Sequence, residues 1–62
     1  MEVVYGEKKW TFENEMLLDK LLQETGLKRE PVLVMADGRL IREGETLPRD
    51  SRVLIINAAN GG

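Results

Sequence analysis

Arg52-Val53-Leu54-Ile55-Ile56-Asn57 sets four consecutive large apolar residues between two polar ones. Side chains alternate between the two faces of a strand, so Val53 and Ile55 share one face and Leu54 and Ile56 the other. A strand apolar on both faces belongs in the middle of a sheet rather than at its edge. Val32-Leu33-Val34-Met35-Ala36 has the same two-sided character. Pro31 precedes it, and its fixed φ and missing N–H prevent re-entry into a helix. Asp37-Gly38 follows as a two-residue hairpin signal, because both central positions of a type I′ turn want positive φ. Arg39-Leu40-Ile41 is then the short return strand. From Arg42 to Ser51 the chain is polar and turn-rich, with Leu47 its only large apolar anchor.

The amino-terminal half supplies a hairpin and a helix. Met1 to Tyr5 is rich in β-favouring residues, Gly6-Glu7-Lys8 interrupts it, and Lys9-Trp10-Thr11-Phe12 resumes with polar–apolar alternation. Two such runs around a glycine-containing turn read as a β-hairpin. Met1, Val3, Tyr5, Trp10 and Phe12 point inward, and Glu2, Val4, Lys9 and Thr11 away. Leu17, Leu18, Leu21 and Leu22 fall on one stripe at helical spacing, which predicts a helix over Leu17–Thr25. Asn14 is its expected N-cap, with Glu13 and Glu15 near the positive end of the dipole. Gly26 is the expected left-handed stop, with Leu27 folding back behind it.

One helix cannot cover two sheets, so the economical arrangement is a single mixed sheet with the leucine stripe laid across it. The chain has 62 residues, which leaves room for one domain with a thin core. It contains no Cys and no His, which excludes disulfides, leaves zinc without a ligand set, and removes Cys nucleophiles and His bases. Nine Lys and Arg against eleven Asp and Glu give no electrostatic reason to bind nucleic acid. The longest apolar run, Val32 to Ala36, is far short of the about 20 residues that span a bilayer, and the start carries no signal-peptide pattern. A cytoplasmic domain is the expectation. No glycine-rich phosphate loop is present. Glu43 and Glu45 beside Arg42 read as a solvated loop, Trp10 as core, and Met16 and Met35 as gap-fillers.

The last five residues, Ala58-Ala59-Asn60-Gly61-Gly62, have nothing to hold them down. Glycine has no Cβ, so Gly61-Gly62 can thread a narrow channel in backbone conformations closed to other residues. Residues 1–57 are read as the folded domain and 58–62 as a tail. The combination of the hairpin Met1–Phe12, the helix, Asp37-Gly38, and Leu47-Pro48-Arg49-Asp50-Ser51 running through the apolar strand into Gly61-Gly62 resembles the ubiquitin-like β-grasp sulfur carriers of the ThiS and MoaD group. The resemblance covers the whole chain, and the length is nearer ThiS. Two departures stand out. Asp50-Ser51 replaces the family's usual Asp-Gly-Asp turn, and Ala58-Ala59-Asn60 lacks the usual branched apolar residue before Gly-Gly.

The resemblance implies an α+β, ubiquitin-like β-grasp fold with a mixed sheet of four to five strands and one helix. It also implies a carrier rather than an enzyme. A ThiF/MoeB-like adenylating enzyme, using ATP and Mg²⁺, would activate the Gly62 carboxylate. Sulfur would then convert it to a thiocarboxylate for a synthase such as thiazole synthase in thiamine biosynthesis. Gly61 and Asn60 would thread the partner's channel, and the carrier itself would bind no cofactor. A ubiquitin-like modifier, a carrier for tRNA thiolation or molybdopterin synthesis, and a plain β-grasp binding module are the alternatives. If Val53 and Ile55 meet the helix, then Leu54 and Ile56 join Val4, Leu33 and Met35 on an uncovered face rimmed by Arg52 and Arg49. Opposite phasing would exchange the two sets. Such a face would serve docking, on a chain that is monomeric when free.

Overall fold

The computed structural model describes residues 1–59. In chain order the elements are β1 (Glu2–Tyr5), β2 (Lys8–Thr11), β3 (Met16–Leu17), α1 (Leu18–Thr25), β4 (Val32–Ala36), β5 (Arg39–Ile41), β6 (Thr46–Leu47) and β7 (Arg52–Asn57). Five strands form one mixed sheet in the order β2-β1-β7-β4-β5, and β3 pairs with β6 in a second, two-stranded sheet. The single helix packs across the five-stranded sheet, an α+β, β-grasp-like arrangement. The strand apolar on both faces is the central one, parallel to β1 and antiparallel to β4.

Registers decide which residues are buried, because directly paired residues project to the same face. Val3 pairs with Trp10 and with Val53, and Val53 with Ala36. Tyr5 pairs with Ile55, Ile55 with Val34, and Val34 with Ile41. These two rows meet Leu18, Leu21 and Leu27 to form the core, and Trp10, Phe12 and Met16 pack half-buried against it. Leu21, Leu47, Ile55 and Val3 are the largest fully buried side chains.

Both predicted turns have the expected geometry. Asp37 and Gly38 have φ of 50° and 83°, the pair of positive values a type I′ turn requires. Gly26 ends the helix at φ 78° and donates to Gln23 O, while Leu27 N–H donates to Leu22 O. This is the Schellman pattern, and Leu27 is buried behind it. An added Cβ at Gly26 would meet nothing within 4 Å, so the cost of Gly26→Ala is conformational alone. Thermal or urea unfolding should show a loss of about 1–2 kcal/mol, the penalty of a left-handed L-residue; a neutral substitution would show that this helix end is not held.

The start of the helix departs from expectation. Leu17 is the N-cap, extended at φ −63° and ψ 146°, with no side-chain cap bond, and Asn14 plays no capping part. Met16 pairs with Leu47 and Leu17 with Thr46, which holds both residues in a strand and shortens the helix to Leu18–Thr25. Leu18 N–H donates to the Glu45 carbonyl at 3.0 Å, so a distant backbone oxygen does the work expected of Asn14. Leu17 is consequently 52% exposed rather than part of the core stripe. Glu13 and Glu15 lie before the helix, and Asp19 is the acidic residue of its first turn.

Candidate functional site

The face of the five-stranded sheet opposite the helix carries the exposed apolar surface. A row crosses all five strands there, Lys9–Val4–Leu54–Met35–Leu40, each pair in direct register. Leu33 pairs with Ile56 in the next row toward the end of β7, and Glu2 pairs with Arg52 and Thr11 in the row toward its start. Leu54 and Leu33 are each 47% exposed and Ile56 41%. Val4 and Met35 are half-buried among them. The face is therefore apolar at its centre and toward the end of β7, and charged at the start of β7. A depression of about 380 Å³ lies where Glu2, Val4, Arg52 and Leu54 meet.

Alternation in β7 thus places Val53 and Ile55 under the helix and Leu54 and Ile56 outside, joined by Val4, Leu33 and Met35. Met35 belongs to this outer face rather than to the core. Arg52 lies on the same face, and its N–H donates to Asp37 Oδ1 at 3.0 Å while Asp37 N–H donates back to the Arg52 carbonyl. Arg49 is exposed in the loop after β6. Leu40 completes the apolar row and is absent from the set read from sequence. The two-residue turn at Asp37-Gly38 already implies that Met35 faces Leu40, because such a loop pairs the residues flanking it in order. Hairpin arithmetic was the signal that would have found it.

Contrary to the expectation of a tail with nothing to hold it from Ala58 onward, Ala58 and Ala59 are both fastened. Ala58 N–H donates to the Pro31 carbonyl at 2.7 Å. Ala59 N–H donates to Asn57 Oδ1 at 2.8 Å, and Asn57 Nδ2 donates to the Tyr5 hydroxyl at 3.4 Å. The remaining site residues read from sequence, Asn60, Gly61 and Gly62, lie outside the described residues.

The surroundings of the Glu45 carboxylate move its titration. Its Oε1 accepts from Arg42 N–H at 2.6 Å and its Oε2 from Arg39 Nη1 at 3.3 Å. The backbone hydrogen bond first, and the nearby arginines after it, hold the acid below its ordinary value. The loop is solvated as expected and is also organised as a turn, and the same residue's carbonyl receives the first N–H of α1. A carboxylate with a depressed folded-state pKa stabilises the fold above its unfolded pKa and loses that contribution as pH falls through the folded value. Wild type should therefore exceed Glu45→Gln in stability near neutrality, and the two should converge under acid. Urea titrations across that range check this; a constant gap would exclude the carboxylate as its source.

No helix among the described residues is long and apolar enough to cross a membrane. Comparison of the chain with protein-family models, curated proteins and solved structures returns no match.

Proposed function

We propose that this protein is a ubiquitin-like sulfur carrier whose Gly62 carboxylate is adenylated and then converted to a thiocarboxylate. The observation that supports this reading is the junction of two features on one strand. Leu54 and Ile56 expose an apolar face, and β7 runs directly from them into a tail sequence that reads Gly61-Gly62. A partner that docks on the face is thereby within reach of the tail.

The chemistry belongs to the partner. A Gly62 carboxylate oxygen attacks the α-phosphorus of ATP and pyrophosphate leaves, giving an acyl adenylate. A persulfide donor then attacks the acyl carbon; the C–S bond forms as the bond to AMP breaks. A thiol attacks the donor-side sulfur of the resulting acyl disulfide; a new disulfide forms between thiol and donor as the S–S bond breaks, and the thiocarboxylate remains on Gly62. Magnesium and phosphate handling rest with a ThiF/MoeB-like enzyme. The carrier needs neither a nucleophile nor a base, in keeping with a sequence that has no Cys and no His. Thiazole formation for thiamine is the proposed destination of the sulfur, in the cytoplasm.

Intact-mass analysis tests the proposal. The native protein must end at Gly62. Incubation with ATP, the adenylating enzyme and a sulfur donor should then replace one oxygen by one sulfur, and deletion of Gly62 should abolish the change. A covalent adduct with another protein would instead identify a modifier. No adenylation of wild type at all would reject the carrier reading.

A further inference from the structure

We infer that Asn57 is a positioning residue, which fixes the point and heading at which the tail leaves the sheet. The inference rests on the carrier reading and adds a role that the reading does not require. Asn57 ends β7 opposite Val32, on the helix side of the sheet, and its carboxamide makes two bonds in opposite directions. The oxygen accepts from Ala59 N–H at 2.8 Å, closing a turn over its own backbone, while the nitrogen reaches across to the Tyr5 hydroxyl on β1 at 3.4 Å. Ala58 N–H to the Pro31 carbonyl carries the β4–β7 ladder one residue past the strand. The base of the tail is thus tied to both strands that flank β7. Asn suits this position, since its short amide bonds readily to backbone two residues on and supplies donor and acceptor together.

The consequence is geometric. Measured from Ala59, three residues reach at most roughly 11 Å, so the Gly62 carboxylate can meet a docked partner only within that radius. Releasing Ala59 moves the point from which the reach is measured back to Ala58, a limit of roughly 14 Å. The volume within that limit grows as the cube of the reach, so the effective concentration of the carboxylate at the partner's site falls about twofold. Docking on Leu54 and Ile56 is untouched by this change. The loss therefore falls on turnover within the docked complex, not on docking itself.

The test combines a structural and a kinetic reading on the full chain. Hydrogen exchange at the Ala59 amide should accelerate in Asn57→Ala and stay slow in Asn57→Asp, which keeps the acceptor, while unfolding midpoints stay close to wild type. With the adenylating enzyme and ATP, pyrophosphate release should show kcat lowered about twofold in Asn57→Ala at unchanged KM for the carrier, with Asn57→Asp restoring it. Ala59 exchange independent of Asn57 would overturn the positioning role whatever the kinetics. Faster exchange with unchanged kcat would show that the tie is structural only and overturn it equally. A wild type that is never adenylated would reject the carrier reading itself, and this role with it, while the Ala59 measurement still reports separately whether Asn57 holds the tail base.

Discussion

Ile55→Glu is expected to leave the chain unfolded at neutral pH, whereas Leu54→Glu, its immediate neighbour, should fold almost as wild type does. Ile55 is 2% exposed and lies between Tyr5 and Val34 beneath the helix. The cation of its row, Lys8, is exposed and lies two strands away beyond Tyr5, and burying an unpaired charge costs several kcal/mol. A domain of 62 residues has a total stability of roughly 3–9 kcal/mol, so one such charge removes most or all of it. Leu54 projects to the opposite face, where a carboxylate stays hydrated and loses only the apolar contacts with Val4 and Met35. Circular dichroism of the two variants distinguishes them directly. Equal melting of both would mean that the sheet is covered on both faces. In the activation assay Leu54→Glu should raise KM for the carrier while leaving it folded, and Ile56→Glu should do the same.

Leu21→Ala should cost about 2–5 kcal/mol, the range for a fully buried leucine whose cavity cannot collapse. Leu21 is the helix residue with 0% exposure, and the sheet rows of Val3–Val53–Ala36 and Ile55–Val34–Ile41 present its packing surface. A helix of eight residues has little stability of its own, so the contact that attaches it to the sheet also keeps it helical. Denaturant unfolding should show the midpoint falling with little change in slope. Leu17→Ala provides the contrast: Leu17 is half-exposed and outside the helix, and its loss should change stability by a few tenths of a kcal/mol, as surface substitutions do. Comparable losses at Leu17 and Leu21 would place both on a common stripe and contradict the two-stranded pairing of β3 with β6.

That contrast marks the limit of local reading. The four leucines have helical spacing, and two of them, Leu18 and Leu21, are buried on the helix. Leu17 has the same spacing but is claimed by Thr46 across a strand pair. Nothing near residue 17 announces a partner twenty-nine positions further on. The carbonyl of Glu45 that receives Leu18 N–H is equally remote in sequence, and it displaced Asn14 from a role for which Asn14 was chemically suited. The outer sheet face was more legible. The alternation of β7, with the helix on one side, grouped Val4, Leu33, Met35, Leu54 and Ile56 correctly, and a hairpin register through Asp37-Gly38 would have added Leu40.

By itself, the sequence determined the features that depend on neighbours a few residues apart. These are the type I′ turn that needs Asp37 and Gly38 at positive φ, the helix stop at Gly26, the two-sided apolar run that makes β7 central, and the absence of any thiol or imidazole. Tertiary structure alone decided where the helix begins, how the Arg42–Glu45 turn is tied to it, and which face of the sheet remains open. It also brought Asn57 to Tyr5, fifty-two residues away. Turns and stops follow from backbone sterics that act within a few residues. Strand partners follow from which distant backbone groups are left to be satisfied once the core has closed.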